Sequence, residues 1–258
     1  MRQLLSSFCC RLSIRAAGRV LHHRCAVGVF RGGNRDGSAL VSYLRPLRRN
    51  IMTTATGDDR ISEVAKDMGK VVRGSEDWET IWTTGGKDGA MLMPGEKFDA
   101  GKPSPFLEFV LASCKDSGNP FGATDVTKKR VLVPGCGRGY DLIAFSAAGV
   151  CESIGIDVAP TGVAEAALVL KTAVNSGAIE ASSKCEVHQS DFYSLPSSEL
   201  MSASSSDAKL KTFDVVYDYT FFCAMHPERR QEWREMMAKI VTPGVGQLWT
   251  LIFPVRTI

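Results

Sequence analysis

Residues 131–157, VLVPGCGRGYDLIAFSAAGVCESIGID, constrain the fold more than any other stretch of the chain. An apolar, β-branched run ends in Gly135-Cys136-Gly137-Arg138-Gly139. A helix-like stretch closes at Gly149, and a second apolar run ends on Asp157. A strand–loop–helix–strand unit of this kind sets a glycine-rich turn and an acid at the C-terminal edge of a parallel sheet, where nucleotide-shaped ligands bind. Glycine permits the close turn from strand to helix and exposes the N–H groups of the helix start. An acid on the second strand tip is placed to accept hydrogen bonds from ribose hydroxyls. The dinucleotide fingerprint GxGxxG needs glycine at 140, where this chain has Tyr140. A nicotinamide-dependent oxidoreductase on a similar sheet is therefore the less favoured reading.

The same alternation continues along the chain. A helix is expected over 103–113, with Phe106, Phe109 and Val110 on one face. Strands are expected at 130–134, 153–157, 185–190, 213–218 and 246–253. A helix opens at Pro160 and stops at Gly177, another opens at Pro227, and a Ser-rich surface loop lies at 197–207. Near-continuous apolar strands separated by helices predict a doubly wound, mostly parallel α/β sheet covered on both faces.

Charge divides the chain in two. Residues 1–51 hold ten Arg, no Lys and one acid, Asp36. The remainder holds 21 basic and 27 acidic residues, so the net charge of +3 comes from the N-terminal segment. That segment reads as an organelle presequence, disordered or an amphipathic helix. At helical spacing Leu5, Cys9, Leu12, Ala16 and Val20 share a face beside Arg11, Arg15 and Arg19. A mitochondrial or plastid location is expected if residues 1–51 are translated, and a cytoplasmic one if translation starts at Met52. Residues 52–75 read as a linker and 76–258 as the domain. The eight cysteines form no CxxC pair, so neither zinc nor a disulfide framework is expected. No apolar run is long enough to span a membrane, and an acidic body without basic–aromatic interleaving argues against nucleic acid.

Trp78-x-x-x-Trp82, FDAGKPSP, VLVPGCGRGYD, GIDVAP, SDFY and FDVVYDYTFFCAMHPERR together resemble the thiopurine/thiol S-methyltransferase family, nearest to the plant-type thiol and halide methyltransferases. The GxGxG spacing is the form usual in enzymes that use S-adenosylmethionine. The resemblance implies a Rossmann-like methyltransferase sheet and S-adenosylmethionine as cofactor; the expected partner is a small-molecule substrate, and the oligomeric state stays open with a monomer favoured. By the same resemblance Gly135 and Gly137 pack against the methionine part of the cofactor, Asp157 holds the ribose, and Asp191 and Phe192 flank the adenine. Trp78, Trp82 and Phe98 belong to a lid, Phe98 standing where the branch has Trp. Asp218 and Tyr219 end the fourth strand beside the reacting centre, Asp218 toward the cofactor and Tyr219 as the candidate catalytic residue. Some ten Gly- and Met-rich residues are inserted between Trp82 and Phe98.

The resemblance also implies two strands after the fifth, and the chain ends at FPVRTI. The expectation is a sheet lacking its last two strands, in a C-terminally incomplete domain. The implied reaction is methyl transfer by in-line displacement to a small soft nucleophile: a thiol, bisulfide or halide. Alignment and desolvation suffice for such an acceptor, without a general base. Two alternatives stay open: another small acceptor, or a truncated protein that binds the cofactor without catalysis. His226, Cys136 and Cys223 are read as structural, and Arg138 as pointing to solvent.

Overall fold

A computed structural model describes residues 9–16, 19–31, 74–113, 125–202 and 211–252. Five parallel strands form the centre: β3 (Arg130–Pro134), β4 (Glu152–Asp157), β5 (Lys184–Gln189), β6 (Val215–Asp218) and β7 (Gln247–Ile252). Two more strands, β1 (Cys9–Ala16) and β2 (Arg19–Arg31), complete a seven-stranded sheet in the order β1-β2-β7-β6-β3-β4-β5. The order reverses beside β3, which is flanked by β4 on one side and β6 on the other. Ligand crevices open at such a switch point.

Strands β3, β4, β6 and β7 are apolar on both sides because each side faces a core, whereas β5 is the far edge of the sheet and exposes Lys184, Glu186 and Gln189. Leu132, Ile154, Ile156, Val216 and Leu248 pack beneath helix α6 (Arg230–Ile240), which presents Trp233, Met236, Met237 and Ile240 at i, i+3, i+4 and i+7. The alternate residues Val131, Val133, Val215, Tyr217 and Trp249 pack on the opposite face. There they meet Leu107 and Val110 of α2 (Pro105–Ser113), Leu142 and Phe145 of α3 (Tyr140–Ala147), and Leu170 of α4 (Pro160–Asn175). A short helix α1 (Ser75–Thr84) lies before these elements, and a one-turn α5 (Phe221–Ala224) follows β6.

The N-terminal segment departs from the sequence expectation. Residues 9–16 and 19–31 are a β-hairpin, with Ala16 opposite Arg19, and not an amphipathic helix. β2 runs antiparallel to β7, pairing Ala26 with Ile252 through Arg31 with Gln247. The edge expected to lack two strands is therefore covered by two strands from the opposite end of the chain. The physical reason is long-range: an open β7 edge presents unpaired backbone groups, and VLHHRCAVGVF is rich in β-formers. Helical spacing in the arginines does not register that demand. Residues 1–8, 17–18, 32–73 and 253–258 of the expected leader, linker and C-terminus lie outside the described residues.

Smaller shifts have local causes. The strand expected at 213–218 begins at Val215, since Phe213 makes only an isolated bridge to Val241. The helix opened by Pro227 starts as a 3-10 turn, Pro227–Arg229. The Ser-rich stretch follows a 3-10 turn, Phe192–Ser197, and opens with a second, Glu199–Met201; residues 203–210 lie outside the described residues.

Candidate cofactor and methyl-acceptor site

The loops after β3, β4 and β6 open into a cavity of about 470 Å³ at the switch point. Gly135, Gly137, Asp157, Asp191, Phe192, Tyr219, Trp78, Trp82 and Phe98 all line it. Nine of the ten residues singled out in the sequence thus meet in one place. Asp218 does not. It is fully buried, its Oδ1 accepting from Phe222 N at 3.0 Å and its Oδ2 from Trp233 Nε1 at 3.1 Å. Burial pushes its carboxyl up to about 7, against the pull of the Phe222 and Trp233 donors. Its work is to cap α5 and anchor α6 beneath the cavity.

The glycine loop is shaped by its neighbours. Gly135, Gly137 and Gly139 have positive φ of 60°, 51° and 74°. A Cβ on Gly135 would lie 2.7 Å from Phe221 Cδ2, so glycine here admits the Phe221 ring as well as the turn. Asp157 ties the loop to the next strand: Gly137 N donates to its Oδ2 at 3.0 Å and Ala159 N to its Oδ1 at 3.0 Å. Burial raises its pKa, and those backbone donors pull it back. A carboxylate offers about four acceptor sites, so Asp157 retains capacity beyond its backbone donors, which fits a ribose diol. Asp191 is exposed, its Oδ1 accepting from Tyr193 N at 3.0 Å. Phe192 lies edge-on to Phe221 with ring centroids 5.0 Å apart.

The three residues expected in a lid form an aromatic triad at the cavity wall. Phe98 meets Trp78 at 5.9 Å and Trp82 at 5.8 Å, both edge-to-face. Trp82 is 2% exposed and packs over the glycines of loop and helix. Glu79 docks α1 on the start of α4, its Oε2 accepting from Thr161 N at 3.0 Å. An acid at a helix N-terminus is favourably placed there. Ser104 N donates to Asp141 Oδ1 at 2.7 Å, closing the far end of the segment. Burial pushes Asp141 up to about 6.

The sequence missed several functional neighbours. Arg138 is buried, not solvent-facing, and bonds to Asp99 and Leu92. Cys223, Met225, His226, Arg229 and Lys102 also line the cavity. Arg229 stacks on Tyr193 with its guanidinium 3.4 Å from the ring centroid. Tyr193 Oη donates to Met225 Sδ at 3.0 Å. The only sequence signal for this wall was aromatic and sulfur content after Asp191 and Tyr219. The described residues hold no cluster of three or more metal-ligating side chains.

The fold and the cavity define a class: a Rossmann-like sheet whose switch-point cradle suits an adenosyl cofactor under an aromatic lid. The thiopurine S-methyltransferase (TPMT) family matches residues 121–254, and the chain belongs to that family. It is 32% identical over 182 residues to the probable thiol methyltransferase 2 of Arabidopsis thaliana, covering 69% of this chain and 62% of that protein. It is 30% identical over 193 residues to thiocyanate methyltransferase 1 of Brassica oleracea, covering 75% and 68% respectively. Among solved structures, the magnesium protoporphyrin IX methyltransferase ChlM of Synechocystis PCC 6803 with bound SAM aligns at a TM-score of 0.37 and 17% identity, covering 74% of each chain.

Proposed function

We propose that the protein transfers the methyl group of S-adenosylmethionine to a small soft nucleophile: a thiol, bisulfide or halide. The observation that carries this reading is the meeting of Asp157, the Gly135–Gly139 loop and the Trp78–Trp82–Phe98 lid in one cavity with Tyr219. When bound, S-adenosylmethionine supplies an electrophilic methyl on a sulfonium. Gly135 and Gly137 leave backbone room for its methionine part, Asp157 accepts from the ribose, and Asp191 with Phe192 borders the adenine. Aromatic faces of the lid favour a cation beside them.

Lys102 and Arg229 line the same cavity, and two cations there support an acceptor that arrives as an anion. Burial pushes Tyr193 and the Cys223 thiol up to about 12, so neither takes a proton near neutrality. Asp218 is committed to Phe222 and Trp233. Alignment in a shielded site then carries the rate. Tyr219 Oη orients the acceptor. We propose a small-molecule partner and favour a monomeric unit. The basic composition of residues 1–51 supports delivery to a mitochondrion or plastid; in that case the hairpin needs to be retained after import to cover β7.

Incubation with methyl-labelled S-adenosylmethionine and a panel of thiols, sulfide and iodide tests the reading. Labelled methyl sulfides or methyl iodide are expected. Binding of the cofactor with no labelled product from any acceptor would leave a binding protein instead.

A further inference from the structure

The lid reaches the glycine loop through one buried cation. Arg138, between Gly137 and Gly139, is 2% exposed. Its Nη1 donates to Asp99 Oδ2 at 2.9 Å and its Nη2 to Leu92 O at 2.6 Å. Nη2 also lies 3.2 Å from Glu165 Oε2 on α4. The guanidinium carbon is 5.1 Å from the centroid of the Trp82 ring. One side chain of the loop therefore touches the lid at Trp82, Leu92 and Asp99. The three are also joined within the lid: Leu92 N donates to Trp82 O at 2.9 Å, and Phe98, the residue before Asp99, meets the Trp82 ring at 5.8 Å. The Gly- and Met-rich insertion between Trp82 and Phe98 is what carries Leu92 to the cation, and Leu92 is fully buried.

A buried cation of this kind is costly for stability alone. Removing a guanidinium from water is expensive, and apolar side chains of similar volume often serve stability as well. Here the cost is visible: Arg138 Nε is buried without a hydrogen-bond partner among the described residues. What the fork of donors adds is geometry, since a planar guanidinium fixes direction as well as distance. The two carboxylates are unequal. The Asp99 side chain is 3% exposed, whereas that of Glu165 is 24% exposed.

We propose that Arg138 is a positioning residue that locks the Trp82–Leu92–Asp99 lid to the glycine loop, so that the cofactor site is assembled before ligand arrives. The proposal rests on the cavity being the S-adenosylmethionine site. Asp99 is its principal partner and Glu165 an outer one.

Calorimetric titration with S-adenosylhomocysteine and local hydrogen exchange test it, on the wild type and on Arg138→Met, Arg138→Lys, Asp99→Asn and Glu165→Gln. Arg138→Met and Asp99→Asn are expected to weaken binding about tenfold or more, and Glu165→Gln about twofold. Arg138→Lys keeps the charge but not the fork and falls between. Without ligand, the amides of Leu92 and Asp99 should exchange faster in the first two variants while those of β3 and β4 keep their rates. The KM for S-adenosylmethionine should rise more than kcat falls. If Arg138→Met fails to fold, Asp99→Asn and Arg138→Lys carry the same readouts. Unchanged affinity and lid exchange would overturn the proposal, as would acceleration spread evenly over β3 and β4, which marks a purely structural role. A wild type that does not bind S-adenosylhomocysteine would instead defeat the functional reading, with lid exchange still deciding the role of Arg138.

Discussion

Two segments from the N-terminal side of the sheet are held by opposite means. The hairpin of residues 9–31 is joined to β7 by a backbone ladder, six residue pairs from Ala26–Ile252 to Arg31–Gln247. The lid of residues 75–104 is held by particular side chains: Glu79 on Thr161, Trp82 over Gly162, Arg138 on Asp99 and Leu92, Asp141 on Ser104 N. A ladder tolerates many side chains and covers an edge. A set of side-chain tethers fixes a surface at one angle. The hairpin should therefore govern stability, and the lid should govern ligand affinity.

The largest effect expected is from removing residues 1–51. That deletion uncovers the β7 edge, so the thermal midpoint should fall by several degrees and aggregation should rise. The comparison survives only if the folded fraction still binds S-adenosylhomocysteine within about threefold of the full chain. A deletion that leaves the melt unchanged would break it. Next is Gly162→Ala. Its Cβ would lie 2.9 Å from the Trp82 ring, so the lid must lift, and affinity should drop about tenfold. A change in melting temperature without a change in affinity would reverse the assigned roles.

Glu79→Gln comes third. It keeps an acceptor for Thr161 N but loses the charge at the start of α4, and affinity should weaken about threefold. The smallest effect is a slope. Asp218, with a carboxyl raised to about 7 from 3.8, favours its protonated form in the folded protein. Its contribution to stability is full below about pH 4 and is lost as pH rises through about 7. Asp218→Asn should flatten the fall in stability across that window, whatever it does to the midpoint at one pH. Melting curves from pH 4 to 8 read this directly, and an unchanged slope would remove Asp218 as its source.

The two segments also differ in how far sequence carried. The loop of residues 135–139 and Asp157 were legible because the turn, the helix start and the strand tip are neighbours in the chain. The triad of Trp78, Trp82 and Phe98 was legible through resemblance. The hairpin was not, since its partner β7 lies more than 200 residues away and Arg-rich helical spacing coexists with β-forming composition. Arg138 was misread for the same reason. A lone basic residue among glycines looks exposed until Asp99, 39 residues earlier, folds against it. Asp218 was placed correctly at a strand end, but a sequence does not reveal that Trp233 and Phe222 claim both its oxygens.

Everything proposed for the cavity depends on Asp157 and its glycine loop holding an adenosyl cofactor. Calorimetric titration of S-adenosylmethionine into the wild type and Asp157→Ala tests it most directly. Saturable one-to-one binding is expected in the wild type, weakened about tenfold to hundredfold in the variant. Equal affinity in the two proteins, or preferential binding of a nicotinamide dinucleotide, would contradict it.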